Sequence, residues 1–143
     1  MHIRPRVTLD NPQLLDIWVR SVRATHDFLA EGDIEDLYPQ VRDAYLPAVE
    51  VWVSVDDSDR PAGFIGLNDS HVEMLFIDPE RRGQGIGTQL LDHVRTLRGA
   101  LTVDVNEQNP QAVGFYRHYG FHQTGRSPTD SQGRPFPLLH MSL

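Results

Sequence analysis

The chain has 143 residues, enough for one compact domain with its own core, and its 39% hydrophobic and 23% charged content is that of a folded protein rather than a disordered one. A net charge of −7 argues against non-specific nucleic-acid binding, and no run approaches the ~18 apolar residues needed to span a bilayer. Cysteine is absent and all 13 basic residues are arginine, which excludes disulfides, thiol nucleophiles, cysteine-ligated zinc, a Walker A lysine and Schiff-base chemistry.

The opening Met1-His2-Ile3-Arg4-Pro5-Arg6 has no apolar stretch of the secretory kind, so the cytosol is the expected compartment. Without repeats or a dividing linker, residues 1–143 are expected to form a single domain. Ile3 to Val7 reads as a first strand. Leu14, Leu15, Trp18, Val19 and Val22 recur at helical spacing between Pro12 and Phe28. Gly32 breaks that pattern, and Asp33 is expected to cap a second helix running to about Leu46. Val49 to Val55 and Pro61 to Leu67 flank the polar turn Asp56-Asp57-Ser58-Asp59 as a hairpin. Val72 to Ile77 is nearly all apolar and reads as a strand buried on both faces. After a polar loop, Ile86, Leu90, Leu91, Val94 and Leu97 form the inward stripe of a helix. Leu101 to Val105 is a strand. Asn109 as cap and Pro110 at the first helical position open a short helix that Gly120 ends. Phe121 to Thr124 and Leu138 to Leu143 are closing strands around a turn at residues 130–133. The resulting order, β-α-α-β-β-β-α-β-α-β-β, predicts an α/β (α+β) domain around one central mixed sheet.

The most informative segment follows the Val72–Ile77 strand. Arg82-Gly83-Gln84-Gly85-Ile86-Gly87-Thr88 places three glycines at alternate positions directly before a helix. Glycines admit a ligand close to the backbone, and a helix N-terminus offers unpaired N–H groups with partial positive charge. With the fixed cation of Arg82, the pattern suits a pyrophosphate. The spacing does not fit the G-x-G-x-x-G of a dinucleotide-binding turn, which leaves an NAD-dependent oxidoreductase far behind. Glycines serving only a tight strand-to-helix turn are the bland alternative.

Arg82-x-x-Gly85-x-Gly87 after a hydrophobic strand resembles the acyl-CoA signature of the GCN5-related N-acetyltransferase (GNAT) superfamily. A second block agrees: Asn106-x-x-Asn109-x-x-Ala112-x-x-Phe115-Tyr116-x-x-x-Gly120-Phe121. The resemblance is firm over residues 60–125. It extends more loosely to the bacterial YjaB-type branch through residues 24–29, 105–109 and 133–139. It implies a mostly antiparallel mixed sheet with helices on both faces and acyl-CoA lying in a splay between two central strands. Leu75, Phe76 and Ile77 would meet the pantetheine arm, and Arg82, Gly83, Gln84, Gly85, Ile86, Gly87 and Thr88 the pyrophosphate. Asn109 would sit near the pantetheine and Tyr116 near the sulfur. The implied activity is direct transfer from acetyl-CoA, as co-substrate and without a metal, to a primary amine: a protein lysine, an N-terminus or a small molecule. A catalytically silent CoA-binding module is the alternative. No nucleic-acid or membrane partner is expected, and the chain would act as a monomer or homodimer.

Direct aminolysis of a thioester needs a proton acceptor, because a lysine-type amine with pKa ~10.4 arrives protonated. Glu73 and then His71, two apart on one strand, are the candidates, since the family places a carboxylate or histidine there. Glu73 paired with an arginine, and His71 serving the preceding turn, are the structural alternatives. Tyr116 is the candidate proton donor to the thiolate, against a role as a core aromatic. His26, Asp27 and Phe28 fall where the family shapes its acceptor pocket. His118 and His122 are four apart, but Gly120 ends the helix between them, so no shared metal is expected.

Overall fold

The structure is a computed structural model and describes residues 1–25 and 28–143. Its strands are β1 (His2–Pro5), β2 (Glu50–Val55), β3 (Pro61–Asn68), β4 (His71–Ile77), β5 (Thr102–Asn106), β6 (His122–Ser127) and β7 (Leu138–Ser142). Among the described residues these make one sheet in the order β1-β2-β3-β4-β5-β7-β6. Every neighbouring pair is antiparallel except β4 and β5, which are parallel. A parallel pair needs a crossover, and the helix between them supplies it. The helices are α1 (Asn11–Thr25), α2 (Glu31–Gln40), the short α3 (Leu46–Ala48), α4 (Ile86–Arg98) and α5 (Pro110–Tyr119). None of the described helices is long and apolar enough to cross a membrane.

The helices cover the sheet unequally. On one face, Ile86, Leu90, Leu91 and Val94 of α4, with Tyr116 of α5, bury Ile65, Leu67, Val72, Val103, Val105, Leu139 and Met141. On the other, Leu14, Trp18 and Val22 of α1 with Ile34 and Leu46 bury Val51, Val53, Val55, Phe64, Met74 and Phe76. This second layer covers β2 to β4. Over β5 to β7 the same face carries polar side chains instead.

Three local expectations are corrected. Glu31 and Gly32 already lie in α2, whose cap position is Ala30; Asp33 stabilises that start from inside, its Oδ2 accepting the Ala30 N–H at 3.0 Å. The helix then continues past Pro39 into a wider π turn over Val41–Tyr45. Leu97 is 45% exposed, because the last turn of α4 no longer faces the sheet. Strand β4 is not buried on both faces: Glu73 is exposed and Leu75, Phe76 and Ile77 are half-buried. The cause is that β4 and β5 separate, which makes the site.

Candidate active site

Strand β3 meets β4 with Gly66 opposite Met74 and Leu67 opposite Val72, so Glu73 is one extra residue in β4. Such a bulge bends the strand and re-aims a side chain. Pairing with β5 stops at the same place, after His71 with Thr102 and Val72 with Val103. Beyond it the strands diverge, and the β5-side edge of β4 has no strand partner over Leu75, Phe76 and Ile77. The gap opens into a cleft of 460 Å³. Its walls include those three residues, Asn109 at the cap of α5 and Tyr116 within it, and Arg82, Gly83, Gly85, Ile86, Gly87 and Thr88. Gln84 is exposed and does not line it.

The loop at the mouth is held from behind. Asp78 accepts two hydrogen bonds from Arg20 of α1, at 2.7 and 3.0 Å, and its Oδ1 also takes the Glu80 N–H. The Arg20 guanidinium holds the Asp78 carboxyl below the usual carboxylate range. Arg81 is tied to Asp56 in the β2–β3 turn at 2.8 Å. Arg82 makes no ion pair with a described residue and stands exposed at the cleft. Gly83 and Gly85 have φ of +78° and +76°, a left-handed backbone that side chains disfavour, and Gly85 is the N-cap of α4. Gly87 is small for another reason: an added Cβ would lie 3.0 Å from Phe115 Cζ, so its size sets how closely α4 and α5 approach. A mouth of free helix N–H groups, open glycine backbone and an unpaired arginine fits an anionic, extended ligand such as a coenzyme A moiety.

The three candidates for acid–base work differ in surroundings. Glu73 borders the cleft and forms no ion pair or hydrogen bond with a described residue, so the arginine-pair alternative fails. His71 Nδ1 is hydrogen-bonded to Thr102 Oγ1 at 2.6 Å, and its Nε2 faces Asp104 Oδ2 at 3.4 Å. Tyr116 packs edge-on against Phe115 and Phe121, with ring centroids 5.2 and 5.3 Å away. Burial pushes its phenol up, and its hydroxyl has no hydrogen-bond partner among the described residues although the side chain lines the cleft. Asn109 caps α5 as expected, its Oδ1 accepting the Ala112 N–H at 3.2 Å.

A second cavity, of 480 Å³, adjoins the first. Trp18, Tyr45 and Phe76 give it apolar walls, and Glu73 and Asp130 give it acidic groups. Glu73, Met74 and Phe76 border both cavities. The β6–β7 loop reaches across to the helical side: Gln132 donates to Gln40 Oε1 at 3.1 Å, and Phe136 packs on Phe28 with centroids 5.7 Å apart. Of the expected acceptor-pocket residues, Phe28 is thus at this bridge, while His26 and Asp27 lie outside the described residues. The second cavity was not legible in the sequence, because its walls come from α1, α2, α3 and a loop more than 80 positions later, as in the 92-residue separation of Gln40 and Gln132. Asp104 and His140 were missed as well; their signal was the alternation of Val103, Asp104, Val105 and of Leu139, His140, Met141.

The acetyltransferase (GNAT) domain model matches residues 32–143. The peptidyl-lysine N-acetyltransferase YjaB of Salmonella typhimurium is 51% identical over 132 residues, which is 92% of this chain and 90% of the relative. YjaB of Escherichia coli K12, also named a peptidyl-lysine N-acetyltransferase, is 47% identical over 133 residues, 93% and 90% of the two chains. The solution structure of apo-form YjaB from Escherichia coli superposes with a TM-score of 0.92 at 45% identity, covering 99% of this chain and 95% of that one.

Proposed function

The chain belongs to the acetyltransferase (GNAT) family, and from that premise we propose that it moves an acetyl group directly from acetyl-CoA to a primary amine, the ε-amine of a protein lysine. One observation carries the reading: two cavities meet at Glu73, Met74 and Phe76. A donor in one and an acceptor in the other would meet at the only side chain of those three that can take a proton. The relatives' name, peptidyl-lysine N-acetyltransferase, supports lysine as the acceptor. So do the aromatic walls of the second cavity, which suit an aliphatic arm ending in a cation.

The unpaired edge of β4 over Leu75, Phe76 and Ile77 would receive the pantetheine arm as an added strand, alongside Asn109. Arg82 and the backbone from Gly83 to Thr88 would hold the pyrophosphate, Gln84 through its main chain alone. Bound acetyl-CoA supplies an acyl carbon activated by a thiol leaving group. Glu73 takes the ammonium proton, directly or through water, and frees the nitrogen lone pair. The nitrogen–carbon bond forms as the carbon–sulfur bond breaks and the nitrogen passes its second proton to solvent in the cleft, while a backbone N–H near Leu75 donates to the carbonyl oxygen. Tyr116 gives its hydroxyl proton to the departing sulfur and recovers one through the open cleft. His71, with Nδ1 bonded to Thr102 and Nε2 turned towards Asp104, is placed less well to take the amine proton than Glu73, which has no described partner. The acidic chain, with a net charge of −7, suits a cytosolic enzyme, monomeric or homodimeric, that meets cationic proteins rather than nucleic acid or lipid.

A thiol-release assay with acetyl-CoA and a lysine-containing peptide tests the proposal, with mass spectrometry locating the added acetyl group. Release that depends on the peptide, with the acetyl on the lysine Nε, is expected. Acetyl-CoA binding without transfer to any amine would overturn it in favour of a silent CoA-binding module.

A further inference from the structure

The part of the sheet left bare by α1 and α2 carries a ladder of polar side chains running across four strands. From β4, His71 Nδ1 lies 2.6 Å from Thr102 Oγ1, and its Nε2 lies 3.4 Å from Asp104 Oδ2. Asp104 Oδ1 lies 2.6 Å from His140 Nδ1 on β7, and His140 Nε2 lies 2.7 Å from Ser127 Oγ on β6. One set of donor and acceptor roles, inferred from the network, fits these contacts. The Thr102 and Ser127 hydroxyls donate to the histidines, His140 donates its Nδ1–H to Asp104 Oδ1, and His71 Nε2 faces Asp104 Oδ2 at 3.4 Å without a hydrogen bond.

Asp104 is the centre of this ladder, and it also borders the cleft. It is the first residue of β5 beyond the last β4–β5 pair, Val72 with Val103. Glu73 is the first residue of β4 beyond the same pair. The apex of the split therefore carries a carboxylate on each lip, and the two are differently held. Glu73 has no described partner, whereas Asp104 is held on Oδ1 by His140 at 2.6 Å and faced on Oδ2 by His71 at 3.4 Å. A carboxylate offers about four lone-pair sites, so Asp104 keeps room for another donor while its position is fixed. An ammonium brings three N–H donors to that apex and can spend one on each lip.

We propose that Asp104 is a specificity-determining residue that accepts one N–H of the acceptor's ammonium at the cleft apex, with His71 and His140 as the positioning residues that aim it. The inference rests on the lysine-acetylation reading and assigns His71 to holding Asp104 rather than to taking the amine proton. The competing role is mechanical, a ladder that only laces β4, β5, β7 and β6 together.

Asp104→Asn keeps the shape and removes the charge. At saturating acetyl-CoA its KM for a lysine peptide should rise about tenfold or more, with kcat changed far less. A norleucine peptide, of the same length but uncharged, should inhibit wild type and variant with the same constant. His140→Asn keeps a donor at the Nδ1 position and should leave the lysine KM within about threefold, whereas His140→Leu should raise it. A rise in the norleucine constant parallel to the lysine KM would show the mechanical role and overturn the assignment. An active wild type whose lysine KM is unchanged by Asp104→Asn would overturn it alone. A wild type that binds acetyl-CoA and acetylates no amine would overturn it together with the function proposed above.

Discussion

Burial keeps the Tyr116 hydroxyl protonated far above neutral pH, since the phenolate would have to form in an aromatic pocket with no cation beside it. That keeps the donor form populated at working pH but makes the proton harder to release, so its transfer to sulfur must be coupled to recovery of a proton from the cleft. Its ring is meanwhile fixed by Phe115 and Phe121, so the hydroxyl can be removed without disturbing the packing. Tyr116→Phe should therefore bind acetyl-CoA as the wild type does and lose about 10²- to 10⁴-fold in kcat, the usual worth of a general acid. Isothermal titration and steady-state kinetics check the two halves separately. A kcat loss below about tenfold would leave Tyr116 as a packing residue.

At the scale of elements, the site exists because one strand carries one residue too many. The bulge at Glu73 ends β4–β5 pairing, and the glycine-rich loop and α4 then close the mouth of the gap. Gly87 belongs to this arrangement through packing. Gly87→Ala should press on Phe115 and lower Tm, and a double-mutant cycle with Phe115→Leu should show a coupling of about 1 kcal/mol. Additive losses would mean that the two residues do not limit the approach of α4 and α5. The glycine loop, the α4 and α5 stripes and the Asn109 cap could be read from the chain because each signal is local in sequence. The apolar run Val72–Ile77 misled for a physical reason: two-sided burial and an open cleft reserved for an apolar arm call for the same residues. A bulge is also silent in one strand's sequence, since it is defined by the partner strand's register. Asp104 and His140 have meaning only after β5 and β7 pair across 36 positions.

Across the whole molecule, aspartate–arginine pairs fasten the α1 layer to the sheet. Arg4 of β1 donates to Asp10 Oδ2 and Oδ1 at 2.8 and 3.0 Å, and Asp10 Oδ2 also accepts the Val7 N–H just before α1 begins. At the other end of α1, Arg20 holds Asp78 after β4, in a more exposed setting. Both aspartates are held below the ordinary carboxylate range, Asp10 first by its hydrogen bonds from Arg4 and Asp78 first by those from Arg20. A depressed folded-state value means the unfolded chain binds the proton more tightly, so acid favours unfolding. The stabilisation is fully present above the unfolded value of ~3.9 and is lost as pH falls through the lower folded values. Asp10, with a side chain only 8% exposed, should dominate. Asp10→Asn is thus expected to cost about 1–3 kcal/mol at pH 7, the worth of hydrogen bonds to a buried charge. Denaturant titrations of both proteins from pH 7 downward should show the gap closing below pH ~4, as the wild-type carboxylate protonates. A gap of constant size down to the acid unfolding transition would mean that Asp10 acts through shape and packing, and that the ion pair contributes nothing to joining the layers.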